Sequence, residues 1–176
     1  MINQLEKPHA VQDLPKAIAN CLSRLNVWEL QKLLPTDITY HQDIGEQAFV
    51  DALFELVDHF THLGDTALEV KVGSCHGCLM REKPRLFVLI GNHSKAGVAI
   101  YFRSAEGKMS NIGFCRYAHY HMNSEICDPV LYLNVDKESK PFWHLTPYHE
   151  RAMPPQPRSI PKTPRTPPGF GENHKE

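Results

Sequence analysis

The sequence predicts an α+β fold in which a curved antiparallel sheet wraps around one long helix. Apolar residues recur at helical spacing from Gly45 to about Leu63, which indicates an amphipathic helix. Beyond Gly64 the pattern changes to apolar segments separated by short turns, which indicates strands. Because strands joined by short turns pair side by side in opposite directions, these segments predict an antiparallel meander.

Three helices are expected. The first begins after Asp13, a residue type that caps helices, and has Pro15 in its first turn. A second, shorter helix starts near Val27 and ends before Pro35, since proline disfavours helical backbone in the residue before it. The third and clearest helix carries an apolar stripe. The stripe consists of Phe49, Leu53, Leu56, Val57 and Phe60.

Strands are expected on both sides of the long helix. A short β-prone run, Ile38–His41, precedes it. The four strands of the meander are expected at Leu68–Val72, Leu86–Ile90, Val98–Arg103 and Met109–His119. The later phrase "PVLYLNV", which begins at Pro129, fits a short additional strand.

The chain divides into four predicted parts. Residues 1–12 form an N-terminal arm and residues 13–128 form the α+β domain. Residues 129–152 form a C-terminal segment that docks on the domain, because it contains enough apolar area to do so. Residues 153–176 form a proline-rich, mobile tail, since prolines leave too few backbone donors for regular structure.

Composition limits the classes of function. The chain has 176 residues, of which 41% are hydrophobic and 22% charged, and its formal net charge is −1. Such a balance gives no overall field that attracts nucleic acid or an anionic membrane surface. No apolar run approaches the ~20 residues of a membrane-spanning helix, and the first residues lack the apolar core of a signal peptide. We therefore expect a cytoplasmic protein without nucleic-acid or membrane partners.

The phrase "VWELQKLLPTDITYH", followed by the long helix and the meander, carries a resemblance to a known superfamily. Over roughly residues 14–120 the chain resembles the cystatin-like α+β cone of the nuclear-transport-factor-two-like proteins. The longer pattern "GxCxGC … GN.S … F" resembles one found in bacterial proteins of this fold without an assigned activity. The resemblance implies a pocket at the open end of the cone and a homodimer packed through the open face of the sheet. It leaves the activity open, since the superfamily includes enzymes, binding domains and assembly modules.

The first functional hypothesis is a small-molecule-binding or assembly domain without a recognisable catalytic activity. Aromatic side chains with polar tips are typical of small-molecule pockets. The residues expected to contact the ligand are Trp28, Tyr40, Tyr101, Arg116 and His119. The alternative for Trp28 is a place in the core.

The second hypothesis is a lyase or isomerase of the ketosteroid-isomerase or SnoaL-like type. Asp37 or His41 would act as the general base, because both flank the short strand near the expected pocket mouth. Tyr101 or His119 would donate a hydrogen bond to the developing oxyanion. This hypothesis requires the base and the donor to converge on one cavity.

The third hypothesis is a zinc-stabilised module. Cys75 and Cys78 have the spacing with which two thiolates hold Zn²⁺, and Gly77 permits a tight turn between them. The pair supplies half of a four-ligand site. No cofactor is expected except the zinc of this third hypothesis. The alternatives are a redox pair, which lacks the usual helix N-terminus, and two small cysteines in a loop.

Arg103 and Arg116 lie on neighbouring predicted strands and have two interpretations. Facing water, they would form cross-strand ion pairs with Glu69 or Glu106. Facing the concavity of the sheet, they would bind a carboxylate or a phosphate. The first interpretation is favoured because most charges on strands face water.

Overall fold

The structure, a computed structural model, describes residues 13–73, 84–115 and 128–146. Within these residues the chain forms three α-helices, α1 (Leu14–Ser23), α2 (Val27–Gln31) and α3 (Glu46–His62), and seven strands. The strands are β1 (Thr39–Tyr40), β2 (Leu68–Gly73), β3 (Arg85–Gly91), β4 (Gly97–Ala105), β5 (Lys108–Phe114), β6 (Val130–Val135) and β7 (Pro141–Thr146). The fold class is α+β, and the predicted order of helices and meander strands is confirmed.

Local capping fixes where the first helix begins. The carboxylate of Asp13 accepts a hydrogen bond of 3.1 Å from the backbone N–H of Lys16, as its capping role predicts. The same carboxylate binds both terminal nitrogens of Arg85, at 2.6 and 2.8 Å. This bond to Arg85 holds the pKa of Asp13 below its usual range. The start of α1 is thereby tied to the start of β3.

The predicted meander is confirmed, but the whole sheet is mixed. Strands β2, β3, β4 and β5 pair in sequence, each antiparallel to the next. Two further pairings are parallel: β1 lies along β5, and β6 lies along the beginning of β4. The prediction of a purely antiparallel sheet is therefore wrong. Turn lengths reveal only the pairing of consecutive strands, and these parallel pairs join strands that are distant in sequence.

The C-terminal docking segment enters the sheet as a hairpin. β6 and β7 pair over Val130–Val135 and Pro141–Thr146, and β6 joins β4 at Gly97 and Val98. Trp143 on β7 donates a hydrogen bond of 2.8 Å to the carbonyl oxygen of Ala52 on α3. Its ring also packs edge-on against Phe114, with centroids 4.8 Å apart. The segment is thus anchored to both the sheet and the long helix.

The two faces of the sheet are covered differently. The face towards the helices, here called the helix face, forms the main core with α1, α2 and α3. Phe87, Leu89, Ile100 and Ile112 lie on it and are buried. The opposite face, here called the outer face, carries a smaller apolar cluster. Its buried members are Leu86, Val88, Ile90, Ala99 and Cys115, and Tyr101 packs against them.

Two predicted strands differ in detail from the structure. The alternation of Leu68, Val70 and Val72 with Glu69 and Lys71 predicts Val72 on the buried face of the strand, but it is 80% exposed at the end of β2. Among the described strands, β2 pairs only with β3, so its end is less covered than that of an interior strand. The fourth meander strand ends at Phe114, whereas the sequence predicts its end at His119, a residue that lies outside the described ranges.

The length and apolar character of a helix decide whether it can cross a membrane. In the part of the chain that the structure describes, none of the helices combines the length and the apolar character needed to cross a bilayer.

Candidate functional site

The strongest candidate site lies on the outer face, where β4 and β5 run side by side. It consists of Tyr101, Arg103, Asn111 and Gly113, here called the Arg103 site. Arg103 pairs with Asn111, and Tyr101 pairs with Gly113, in the antiparallel register. Because side chains on a strand alternate between faces, these four positions share one side of the sheet. The register therefore places two polar side chains and an aromatic ring next to one another.

Arg103 is held over the ring of Tyr101. The guanidinium carbon lies 5.0 Å from the ring centroid, within the range of a cation–π contact. A register shift follows directly, between Arg103 and Ser104. Such irregularities bend a strand and redirect its side chains, and they are common next to binding sites.

Two polar atoms of the Arg103 site are buried without a hydrogen-bond partner. They are Nε of Arg103 and Oδ1 of Asn111, and neither has a partner among the residues that the structure describes. Buried polar atoms in native proteins are nearly always paired, because an unpaired one costs about 1–3 kcal/mol. The two atoms lie at directly opposed positions of neighbouring strands.

Gly113 allows two predicted site residues to approach one another. A Cβ atom at this position would lie 2.6 Å from the hydroxyl oxygen of Tyr101 and 3.0 Å from Nδ1 of His41. Contacts this short are not tolerated, so a larger residue would displace one of the two side chains. The side chains of His41 and Tyr101 thus approach the same glycine.

His41, however, has both ring nitrogens bonded to the main chain. Its Nδ1 accepts a hydrogen bond of 3.1 Å from the N–H of Phe114, so the proton is on Nε2. Nε2 lies 2.9 Å from the carbonyl oxygen of Leu133 and donates to it. The ring therefore joins the end of β5 to β6, two strands that pair with successive parts of β4. This geometry favours a structural role for His41 over that of a general base.

The environment of His41 predicts a pH-dependent stability. Burial holds the pKa of His41 below its ordinary value of 6.5, and the bond to Leu133 offsets only part of this. Below about pH 6.5 the unfolded chain consequently binds a proton that the folded chain does not, and the folded state loses stability as the pH falls. We expect up to about 1.4 kcal/mol per pH unit from this residue.

Urea unfolding between about pH 8 and about pH 5 measures this effect, with His41→Gln as the variant that cannot be protonated. The variant should show a shallower loss of stability over this range. The pKa values of Asp13 and Asp65 are lowered, so these two carboxylates change the stability in a separate pH range, below their ordinary pKa of 3.8. Equal slopes for the two proteins would show that His41 does not titrate on unfolding.

The remaining predicted residues are dispersed. Asp37 is exposed in the loop before β1. Tyr40 is buried on the helix face, where its hydroxyl donates to the carbonyl oxygen of Pro35. Burial, together with the carboxylates of Glu46 and Asp37, raises the pKa of Tyr40 to about 12. The structure therefore separates Tyr40 from Tyr101 by the thickness of the sheet.

Trp28 lies on the surface of the helix layer. Its side chain is 70% exposed and meets Phe54 edge-on, with ring centroids 5.0 Å apart. It is therefore neither a core residue nor a neighbour of Tyr101. Arg116, His119, Cys75 and Cys78 lie outside the described residues. Among the described residues, no group of three or more potential ligands is arranged to hold a metal ion.

A buried carboxylate that the sequence analysis missed connects two loops. Asp65 accepts hydrogen bonds from the backbone N–H groups of His93 and Ser94, at 2.7 and 2.9 Å, and from the Ser94 hydroxyl at 2.6 Å. Burial alone would raise the pKa of Asp65, but these bonds outweigh it and lower the pKa. These three bonds clamp the turn that contains His93 and Ser94 to the segment that follows α3. The sequence signals of this contact are an Asp after the long helix and a polar turn, and the two lie 28 residues apart.

Comparisons with protein-family models, curated proteins and solved structures find no match to this chain. Any proposal about the function of this chain therefore rests on its own residues.

Proposed function

We propose that the chain is a small-molecule-binding domain whose ligand occupies the Arg103 site. The observation that carries this proposal is the pair of buried, unpartnered atoms, Nε of Arg103 and Oδ1 of Asn111. A ligand that bonds to both atoms would remove two desolvation penalties that the described residues leave in place. The ring of Tyr101 adds an apolar surface beside these polar groups, a combination typical of small-molecule sites.

Nuclear magnetic resonance of ¹⁵N-labelled protein tests this proposal. The protein is screened against a panel of small carboxylates, phosphates, amines and neutral polar compounds. We expect at least one compound to shift the backbone amide signals of Asn111 and Gly113 but not that of Asn92 in the β3–β4 turn. The variant Asn111→Ala should weaken this response. If no compound in the panel shifts Asn111 or Gly113, the proposed function is rejected.

A lyase or isomerase is the second candidate. It is supported by the approach of the Tyr101 hydroxyl and His41 Nδ1 to the same glycine. The hydrogen bond from Phe114 to Nδ1 and the exposure of Asp37 make it the weaker proposal. Nuclear magnetic resonance spectra of the panel compounds after incubation distinguish the two, because binding alone leaves every compound unchanged, whereas a lyase or isomerase product has a different spectrum even where its mass is the same. Loss of any conversion in Asp37→Asn would identify that residue as the base.

The zinc-stabilised module remains a separate proposal. It is supported by the spacing of Cys75 and Cys78 in the sequence. Metal analysis of the protein used in the screen decides it: about one zinc per chain is expected if the pair is half of a structural site.

The cystatin-like cone, the homodimer and the cytoplasmic location also remain proposals. The cone is supported by the element order, with two helices, a short strand and a long helix before the meander. For the dimer, the residues Leu86, Val88, Ile90 and Ala99 of the outer face are buried within a single chain. A dimer would therefore need a different surface.

A further inference from the structure

Arg103 is a cation without an ionic partner in the described part of the chain. The ion pairs formed there by lysine and arginine involve Arg24, Lys71, Arg85 and Lys140, and none of them includes Arg103. Glu69 is one of the two expected partners of Arg103, but its Oε1 lies 3.3 Å from Nζ of Lys71 instead. The other, Glu106, is exposed in the turn between β4 and β5. Among the described residues, Arg103 therefore does not form the cross-strand ion pair that the sequence favours.

We propose that the ligand of the Arg103 site is a small organic carboxylate with a hydroxyl group on the neighbouring carbon. This inference rests on the proposed function and names the chemical class of its ligand. The positive charge of Arg103 selects a negative group. The guanidinium presents parallel N–H groups whose spacing matches the two oxygens of a carboxylate.

The orientation of Arg103 makes its Nε edge the binding edge. The guanidinium lies over the Tyr101 ring, which limits the directions in which its N–H groups can point. Nε is the buried atom that lacks a partner. A carboxylate bound there would meet a donor that is already dehydrated, and hydrogen bonds between charged groups are strongest in such surroundings.

Asn111 supplies the second requirement. Its unpartnered atom is Oδ1, an acceptor, on the residue directly opposite Arg103. An acceptor needs a donor, which a carboxylate by itself lacks. A hydroxyl group on the carbon next to the carboxylate would provide that donor on the same small molecule. The site therefore distinguishes a hydroxy acid from a simple acid.

Three matched probes separate these requirements. Glycolate has the charge and the hydroxyl, acetate has the charge alone, and glycolamide has the hydroxyl without the charge. Each is titrated into ¹⁵N-labelled full-length protein while the amides of Asn111 and Gly113 are followed. We expect glycolate to bind at least about tenfold more tightly than glycolamide, since hydrogen bonds to charged groups are the stronger ones. We also expect it to bind more tightly than acetate, because acetate lacks the hydroxyl group that donates to Asn111.

Two arginine variants provide the control. Arg103→Gln should weaken glycolate binding about tenfold or more. Arg24→Gln removes an equal charge from an exposed arginine that pairs with Glu29, and it should leave the affinity for glycolate unchanged. A well-dispersed spectrum of each variant shows that it is folded.

Each contrary result has a distinct meaning. Equal binding of glycolate and glycolamide, or an unchanged affinity in Arg103→Gln, overturns the carboxylate. Equal binding of acetate and glycolate overturns the hydroxyl, and tighter binding of inorganic phosphate overturns the carboxylate in favour of another oxyanion. If none of the probes binds although a panel compound shifts Asn111 and Gly113, the ligand class is wrong and the proposed function stands. If no compound of either set binds, both are wrong.

Discussion

Replacing His41 with alanine is expected to lower the free energy of unfolding by about 2–5 kcal/mol. The imidazole ring is buried, with 2% of its surface exposed, and its two nitrogens bond to the N–H of Phe114 and the carbonyl oxygen of Leu133. Alanine would leave both main-chain groups buried without these partners. It would also leave a cavity between the ends of β5 and β6. Urea unfolding near pH 8, where the wild-type ring is neutral, measures the loss.

His62→Ala is the matched control for this prediction. His62 lies on the exposed side of α3, with 74% of its side chain accessible, and its ring contacts Asp58 on the same helix. Its replacement should change the free energy of unfolding by less than about 0.5 kcal/mol, as is usual for exposed positions. A loss in His41→Ala no greater than that in His62→Ala would refute the bridging role of His41.

Replacing Trp143 with alanine is expected to cost about 3 kcal/mol of stability. The ring of Trp143 packs against Phe114, and its Nε1–H donates to the carbonyl oxygen of Ala52. The substitution would remove the hydrogen bond that joins β7 to the long helix. Trp143→Phe, which retains an aromatic ring but lacks the donor, should cost about 1 kcal/mol. Chemical denaturation of the three proteins measures both differences.

Phe142 provides the comparison for Trp143. It is the neighbouring residue on β7, points to the other side of the strand and is 40% exposed. Phe142→Ala should therefore cost less than Trp143→Ala. If the two substitutions cost the same, the hairpin of β6 and β7 is not anchored through Trp143, and its attachment rests on the pairing of β6 with β4.

Several local features could be predicted from the sequence because their causes are local. The cap at Asp13 depends on a residue three positions away, and the stripe of α3 depends on a spacing of three and four. The antiparallel meander follows from short turns between apolar runs. In each case the residues that interact are close in the chain, so a periodic pattern or a single turn carries the information.

The candidate site was predicted only in part. The sequence predicts Tyr101 among the ligand-binding residues, and for Arg103 it favours the surface interpretation over anion binding. Asn111 and Gly113 gave no signal, because an asparagine and a glycine in a strand have many ordinary explanations. Their importance arises from the register of β4 and β5, which places Asn111 opposite Arg103 and Gly113 opposite Tyr101.

The sequence by itself determined the helices, the meander and the α+β class, since these follow from hydrophobic periodicity and from residues that cap or end a helix. Only the tertiary structure decided that β1 and β6 add to the sheet in parallel. It also decided that His41 bridges two strands and that Arg103 has no ionic partner among the described residues. The physical reason is that these features depend on groups far apart in the chain, such as His41 and Leu133, whose meeting is fixed by the packing of the whole domain and leaves no periodic trace in the sequence.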